Sequence, residues 1–176
     1  MDQSDITDYH STISVIDTHY HRNRFDASHL MIENGKAAFF DVGTATGSRF
    51  LLEALRAKEI DPADVEYIVL THIHLDHAGG AGTMIKHCPN ATLVVHPKGA
   101  SHMIDPEKLV RATIDIYGQE LFDRLYKEVL PVPEHRVLNA EDGLVLNFQG
   151  RELHFLDTPG HARHHCCIWD PASRGI

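Results

Sequence analysis

The stretch Thr71-His72-Ile73-His74-Leu75-Asp76-His77 restricts this chain more than any other, because it follows directly on the apolar run Tyr67-Ile68-Val69-Leu70 and runs into Gly79-Gly80-Ala81-Gly82. A short β-branched apolar run reads as a buried strand. The chain therefore leaves the edge of a sheet with four metal-compatible side chains in six residues, and glycines then allow a tight return. Imidazole and carboxylate without thiolate suit zinc or iron, and catalytic zinc sites keep three protein ligands and one open position. Histidine makes up 15 of the 176 residues. A solvated histidine-rich loop would explain that abundance, but not Asp76 or the glycines.

The rest of the chain supplies a mixed scaffold. Residues 13–16, 29–32 and 37–40 read as a strand meander, with Asn34-Gly35 as a tight hairpin turn. Phe50, Leu51, Leu52, Leu55 and Ile60 have helical spacing, and Asp61-Pro62 ends that helix before the strand at 67–70. A helix at 83–87 and a strand at 92–95 come next. Residues 105–127 form a charged helical block with Leu109, Ile116, Leu121, Leu125 and Val129 as its apolar face, stopped by Pro131 and Pro133. Strands near 136–138, 144–147, 152–156 and 166–169 complete an α/β pattern in a single domain spanning 1–176, with a helical insertion at about 99–130.

Composition narrows the partners. A net charge of −9, from 16 basic and 25 acidic residues, disfavours nucleic acid. No apolar run approaches a membrane span, and the acidic start Met1-Asp2-Gln3-Ser4-Asp5 is unlike a secretion signal, so the expectation is a cytoplasmic protein without membrane contact. Cys88, Cys166 and Cys167 are too few and wrongly spaced for a disulfide framework and read as packed thiols.

Thr-His-x-His-x-Asp-His followed by x-Gly-Gly resembles the signature loop of metallo-β-lactamase-fold hydrolases. Leu156-Asp157-Thr158-Pro159-Gly160-His161 is similar to the family's later Thr-Pro-Gly-His segment, and Phe40-Asp41-Val42-Gly43 to its early Asp-x-Gly strand end. The resemblance implies an αββα sandwich. It implies one metal on His72, His74 and His161, a second toward Asp76 and His77, and Asp41 orienting a ligand from behind. His165 falls where many members have a further histidine. Zinc, as one or two ions, is the implied cofactor, with iron or manganese as alternatives.

The implied activity is hydrolysis of an ester, thioester or amide-like small molecule by metal-bound hydroxide, with Asp76 orienting the attacking group. The alternatives are an iron-dependent sulfur dioxygenase-like oxidoreductase, or an inactive metal-binding remnant. The remnant follows from a departure: the family's bridging aspartate in a Gly-Asp strand end is not found before Ile176, and Asp170, followed by Pro171-Ala172-Ser173, reads as a turn. A domain incomplete at its C-terminal part is therefore expected, with the second ion short of ligands. His19 and His21 read as a solvated loop near the site mouth, His164 and His165 as a polar cluster beside it, and His96 and His102 as surface residues. The helical block at 105–129 is expected to cover the site or mediate a homodimer contact.

Overall fold

A computed structural model describes residues 5–9 and 12–174. Its first four strands, β1 (Ile6–Tyr9), β2 (Ile13–Asp17), β3 (Ala27–Glu33) and β4 (Lys36–Phe40), pair in sequence as an antiparallel meander. Asn34 and Gly35 both have positive φ, 49° and 77°. That is the backbone of the two-residue turn whose twist matches its strands. From β4 onward the sheet is parallel: α1 (Ser48–Ala57) leads to β5 (Val65–Val69), α2 (Leu75–Ala78) and α3 (Ala81–His87) to β6 (Thr92–Val95), and a longer helical excursion to β7 (Val137–Asn139). The seven strands lie in chain order. A second, antiparallel sheet contains β8 (Val145–Phe148), β9 (Arg151–Asp157) and β10 (Cys166–Trp169), with β9 in the middle.

Two separate cores follow from residues buried on both faces of the large sheet. Leu30, Phe39, Ile68, Leu70, Leu93 and Val95 face the helices and meet Leu51, Leu55, Met84, Ile85 and Met103. Met31, Phe40, Val69 and Val94 face the other way and meet Leu146, Phe148, Leu153, Phe155 and Ile168 of the small sheet. The parallel strands are apolar on consecutive positions because both faces are covered. The layers are therefore helices, seven-stranded sheet and three-stranded sheet. The outer side of the small sheet carries exposed Val145, Leu156 and Trp169.

One expectation needs correction and two gain detail. The block at 105–127 is not continuous: α4 (Pro97–Ile104) is followed by α5 (Glu107–Tyr117) and α6 (Gln119–Leu125), separated by Gly118 at φ 82°. Such a φ is open to glycine and ends the helix. Cys88 and Cys166 are buried, but Cys167 is exposed, because alternation along β10 turns it away from the core. Asp170 heads the turn at 171–174 expected after the strand, and is fully buried there: it pairs with Arg151 and accepts from the Ala172 and Ser173 N–H groups. Among the described residues no helix is long and apolar enough to cross a membrane.

Candidate metal centre

The carboxyl ends of parallel strands are where open α/β sheets bind ligands, since the chain there is released into loops. β4 runs into Asp41, β5 ends at Val69 just ahead of the histidine loop, and β6 delivers His96. That loop is held tightly: Val42 N–H donates to the His77 carbonyl at 2.8 Å, and Gly80 N–H to the Gly43 carbonyl at 2.8 Å. A Cβ at Gly80 would lie 2.9 Å from both the Thr44 and Val42 carbonyl oxygens, so only glycine lets α3 start this close to the strand end. Cys166 N–H donates to the Thr71 carbonyl at 2.8 Å and ties the small sheet to the same loop.

The ligand nitrogens of His72, His74 and His161 all lie within 4.8 Å of one another. His74 Nδ1 and His161 Nε2 are 3.1 Å apart, close to the ~3.3 Å that separates two nitrogens bound tetrahedrally to one zinc at its usual bond length. The hydrogen-bond pattern fixes what His72 offers. The Thr71 hydroxyl donates to Asp41 Oδ2 at 2.8 Å, and with its proton so committed it accepts from His72 Nδ1–H at 2.9 Å. The lone pair of neutral His72 is then on Nε2, which is buried and has no hydrogen-bond partner. An orphaned buried nitrogen amid three other imidazoles fits the role of a metal ligand. Burial, and then the neighbouring imidazoles of His77, His74 and His161, push the His72 pKa down to about 3, so the ring stays neutral and available. Burial and His161 likewise lower that of His74.

A second group joins Asp41, His72 and His77 within the same 4.8 Å limit. His77 Nδ1 donates to Asp41 Oδ2 at 2.9 Å. Burial acts to lower its pKa, but the hydrogen bond and charge of Asp41, with Asp76 and Asp26 beyond, outweigh it and raise the value to about 9. A metal on His77 Nε2 would displace that proton. Asp76 is at the edge of this group, its Oδ2 3.8 Å from His77 Nε2, and it faces an open cleft with His74 and His161. The sequence motif thus separates into a tight three-histidine cluster and a looser Asp76–His77 flank.

The other histidines fall in distinct places. His165 bonds the Thr158 hydroxyl at 2.9 Å, and His164 Nδ1 accepts from Ile73 N–H at 3.3 Å, with its ring 5.7 Å from that of His74. His19 packs on Phe50 and lies between Asp5 and Asp17, while His21 is exposed. His96 is a correction: it is buried, because its Nδ1 accepts from Lys98 N–H at the start of α4 and its Nε2 faces Asp157 Oδ1 at 3.3 Å.

Two residues were given no role by sequence reasoning. Thr71 relays between Asp41 and His72, a function that its hydroxyl next to the first histidine could have suggested. Tyr20 bonds Tyr126 hydroxyl to hydroxyl at 2.9 Å across 106 residues, which no local signal announces. Through Leu75, inside the histidine loop, the helical block is anchored on the site: Leu75 packs with Phe122 and Tyr126, surrounded by Leu109, Val110 and Ile114.

The family model described as the metallo-beta-lactamase superfamily matches residues 24–176. The chain is 31% identical over 150 residues to a ribonuclease Z of Chlamydia muridarum, covering 79% of this chain and 43% of that protein. It is 33% identical over 112 residues to the N-acyl homoserine lactonase AttM of Azorhizobium caulinodans, covering 63% and 38%. This chain thus spans about two fifths of the length of these curated relatives. A HARLDQ-motif variant of a metallo-beta-lactamase from Cronobacter sakazakii superposes with a TM-score of 0.72 at 22% identity, covering 97% of this chain and 60% of that one. With the family model matched from just ahead of β3 through the last strand, and the histidine-bearing loops set at the ends of those strands, the chain belongs to the metallo-beta-lactamase superfamily.

Proposed function

We propose that this domain carries the metal site of a hydrolase acting on an ester, lactone or thioester of a small molecule, with His72, His74 and His161 holding one divalent ion, most simply zinc. The observation that carries this reading is the unpartnered, buried His72 Nε2 pointing among imidazoles whose nitrogens are spaced as ligands of one ion. An ion there supplies a water that ionises near neutral pH and a positive charge beside a carbonyl oxygen. The protein's own groups do the remainder. Asp41 and Thr71 fix the ring orientations of His77 and His72. Asp76, half-exposed on the cleft floor, accepts a hydrogen bond from the attacking water and aims it. His77 and Asp76 form a weaker second position.

Similarity to ribonuclease Z makes a phosphodiester the competing substrate class. The cleft favours the small neutral one, since no lysine or arginine lines it among the described residues and the chain carries a charge of −9. The test pairs metal analysis with turnover on the protein as it stands. Zinc titration reaching about one tight equivalent, with p-nitrophenyl ester and lactone hydrolysis that His72→Ala abolishes, supports the proposal. Bis-p-nitrophenyl phosphate as the preferred substrate, or no metal uptake at all, overturns it.

A further inference from the structure

Opposite the histidines, α5 places Leu109, Ala112, Thr113, Ile116 and Tyr117 along the cleft. Their spacing, i, i+3, i+4, i+7 and i+8, is one stripe of a helix. Such a stripe ordinarily faces a core, yet α5 contributes no fully buried residue, and Ile116 is 74% exposed. His74, Asp76, His77 and His161 line the same cleft, with Leu75, Tyr20 and Tyr126 beside them. The helix is nevertheless fixed, because Leu109, Val110 and Ile114 pack around Leu75, Phe122 and Tyr126. The Tyr20–Tyr126 hydroxyl pair joins the loop after β2 to α6. The space enclosed is about 520 Å³, within the range of small-molecule sites.

A largely apolar helix face, exposed at Ala112, Ile116 and Tyr117, that lines the same cleft as the imidazoles and Asp76 has one economical use. We propose that the α5 stripe seats an uncharged alkyl or acyl arm on the carbonyl side of the scissile bond, and that Leu109, Ala112 and Ile116 select its length. This rests on the hydrolase reading above. In the reaction served, the water oxygen bonds to the carbonyl carbon, the carbon–oxygen bond to the leaving alcohol breaks, and that alcohol departs with a proton. Arms with a fixed negative charge are disfavoured by Asp76 and by a lining without lysine or arginine among the described residues.

Two series on the zinc-loaded protein test this. With p-nitrophenyl esters from acetate to octanoate, kcat/KM should rise about fourfold per methylene, the factor for burying one such group, until the wall is covered. With the free straight-chain carboxylates, calorimetric affinity should rise by the same factor whether or not any ester is turned over. Ile116→Asp, a change at an exposed position, should flatten both slopes, and Ile116→Leu should keep them. Ester turnover with flat slopes, or slopes that Ile116→Asp leaves intact, refutes the arm seat while leaving the hydrolase reading. Steep carboxylate binding without turnover of any ester refutes the hydrolase reading and supports the seat.

Discussion

Replacing Asp41 by asparagine should weaken metal binding without unfolding the site. Asp41 accepts three hydrogen bonds: Oδ1 from Thr71 N–H at 2.9 Å, and Oδ2 from the Thr71 hydroxyl at 2.8 Å and His77 Nδ1–H at 2.9 Å. The backbone at this position has φ 52°, which asparagine tolerates as well as aspartate does. In Asp41→Asn the new amide, with its oxygen kept toward Thr71 N–H, turns an NH2 group toward the hydroxyl and His77. The hydroxyl must then reverse, its proton points at His72 Nδ1, and His72 is driven to carry its own proton on Nε2. His77 is driven the same way.

Both rings would present N–H where a lone pair is needed. Losing one such orienting partner costs about 10- to 100-fold in metal affinity, about 1.4–2.8 kcal/mol; for the tight ion the ring concerned is His72, while the change at His77 falls on the weaker second position. Competition of zinc between the protein and a chromophoric chelator measures it, with circular dichroism to confirm folding. Thr71→Val should lose affinity in the same direction, whereas Thr71→Ser should retain it. A D41N protein binding zinc within about threefold of the parent would refute the tautomer argument, since that is well short of the loss of a single orienting partner.

Other expectations follow from named contacts. His161→Ala should remove the single tight zinc equivalent, and with it the rise in melting temperature that zinc gives the parent, read by calorimetry with and without chelator. Gly82→Ala places a Cβ 2.0 Å from the Leu130 carbonyl oxygen, so it should destabilise by about 1–3 kcal/mol or more in urea; Gly160→Ala, with nothing within 4 Å, should be neutral. Burial would raise the Asp170 pKa, but the Ser173 hydroxyl, Arg151 and the Ala172 N–H together lower it. That carboxylate therefore adds stability above its unfolded pKa, and the contribution is lost as pH falls through the folded one. Asp170→Asn should accordingly be destabilised by ~3–5 kcal/mol near neutrality, with the gap to the parent narrowing in acid; a gap independent of pH would contradict this.

What the sequence made legible was mostly local. The strand run 67–70 ending at the histidines, the Asn34-Gly35 turn and the Asp41 strand end each declare themselves within a few residues, and the family's three motifs supply His161 across the gap. The remainder depended on partners distant in the chain. His96 looks like a surface residue until Asp157, far along the chain, comes to face it. Tyr20 has meaning only through Tyr126. The break in the helical block was marked by Gly118, but a periodic apolar pattern on both sides masked it.

His74 comes from a loop of the seven-stranded sheet and His161 from the loop after β9 in the three-stranded one, 87 residues apart in sequence. An ion bound between them would act as a covalent-like rivet through two layers, closing a long loop of the chain at a single point. Its thermodynamic value would grow only logarithmically with that loop, but its kinetic effect would be directional. Stripping the ion should release the small sheet first, so that amide exchange accelerates in β8, β9 and β10 while the meander and α1 stay protected.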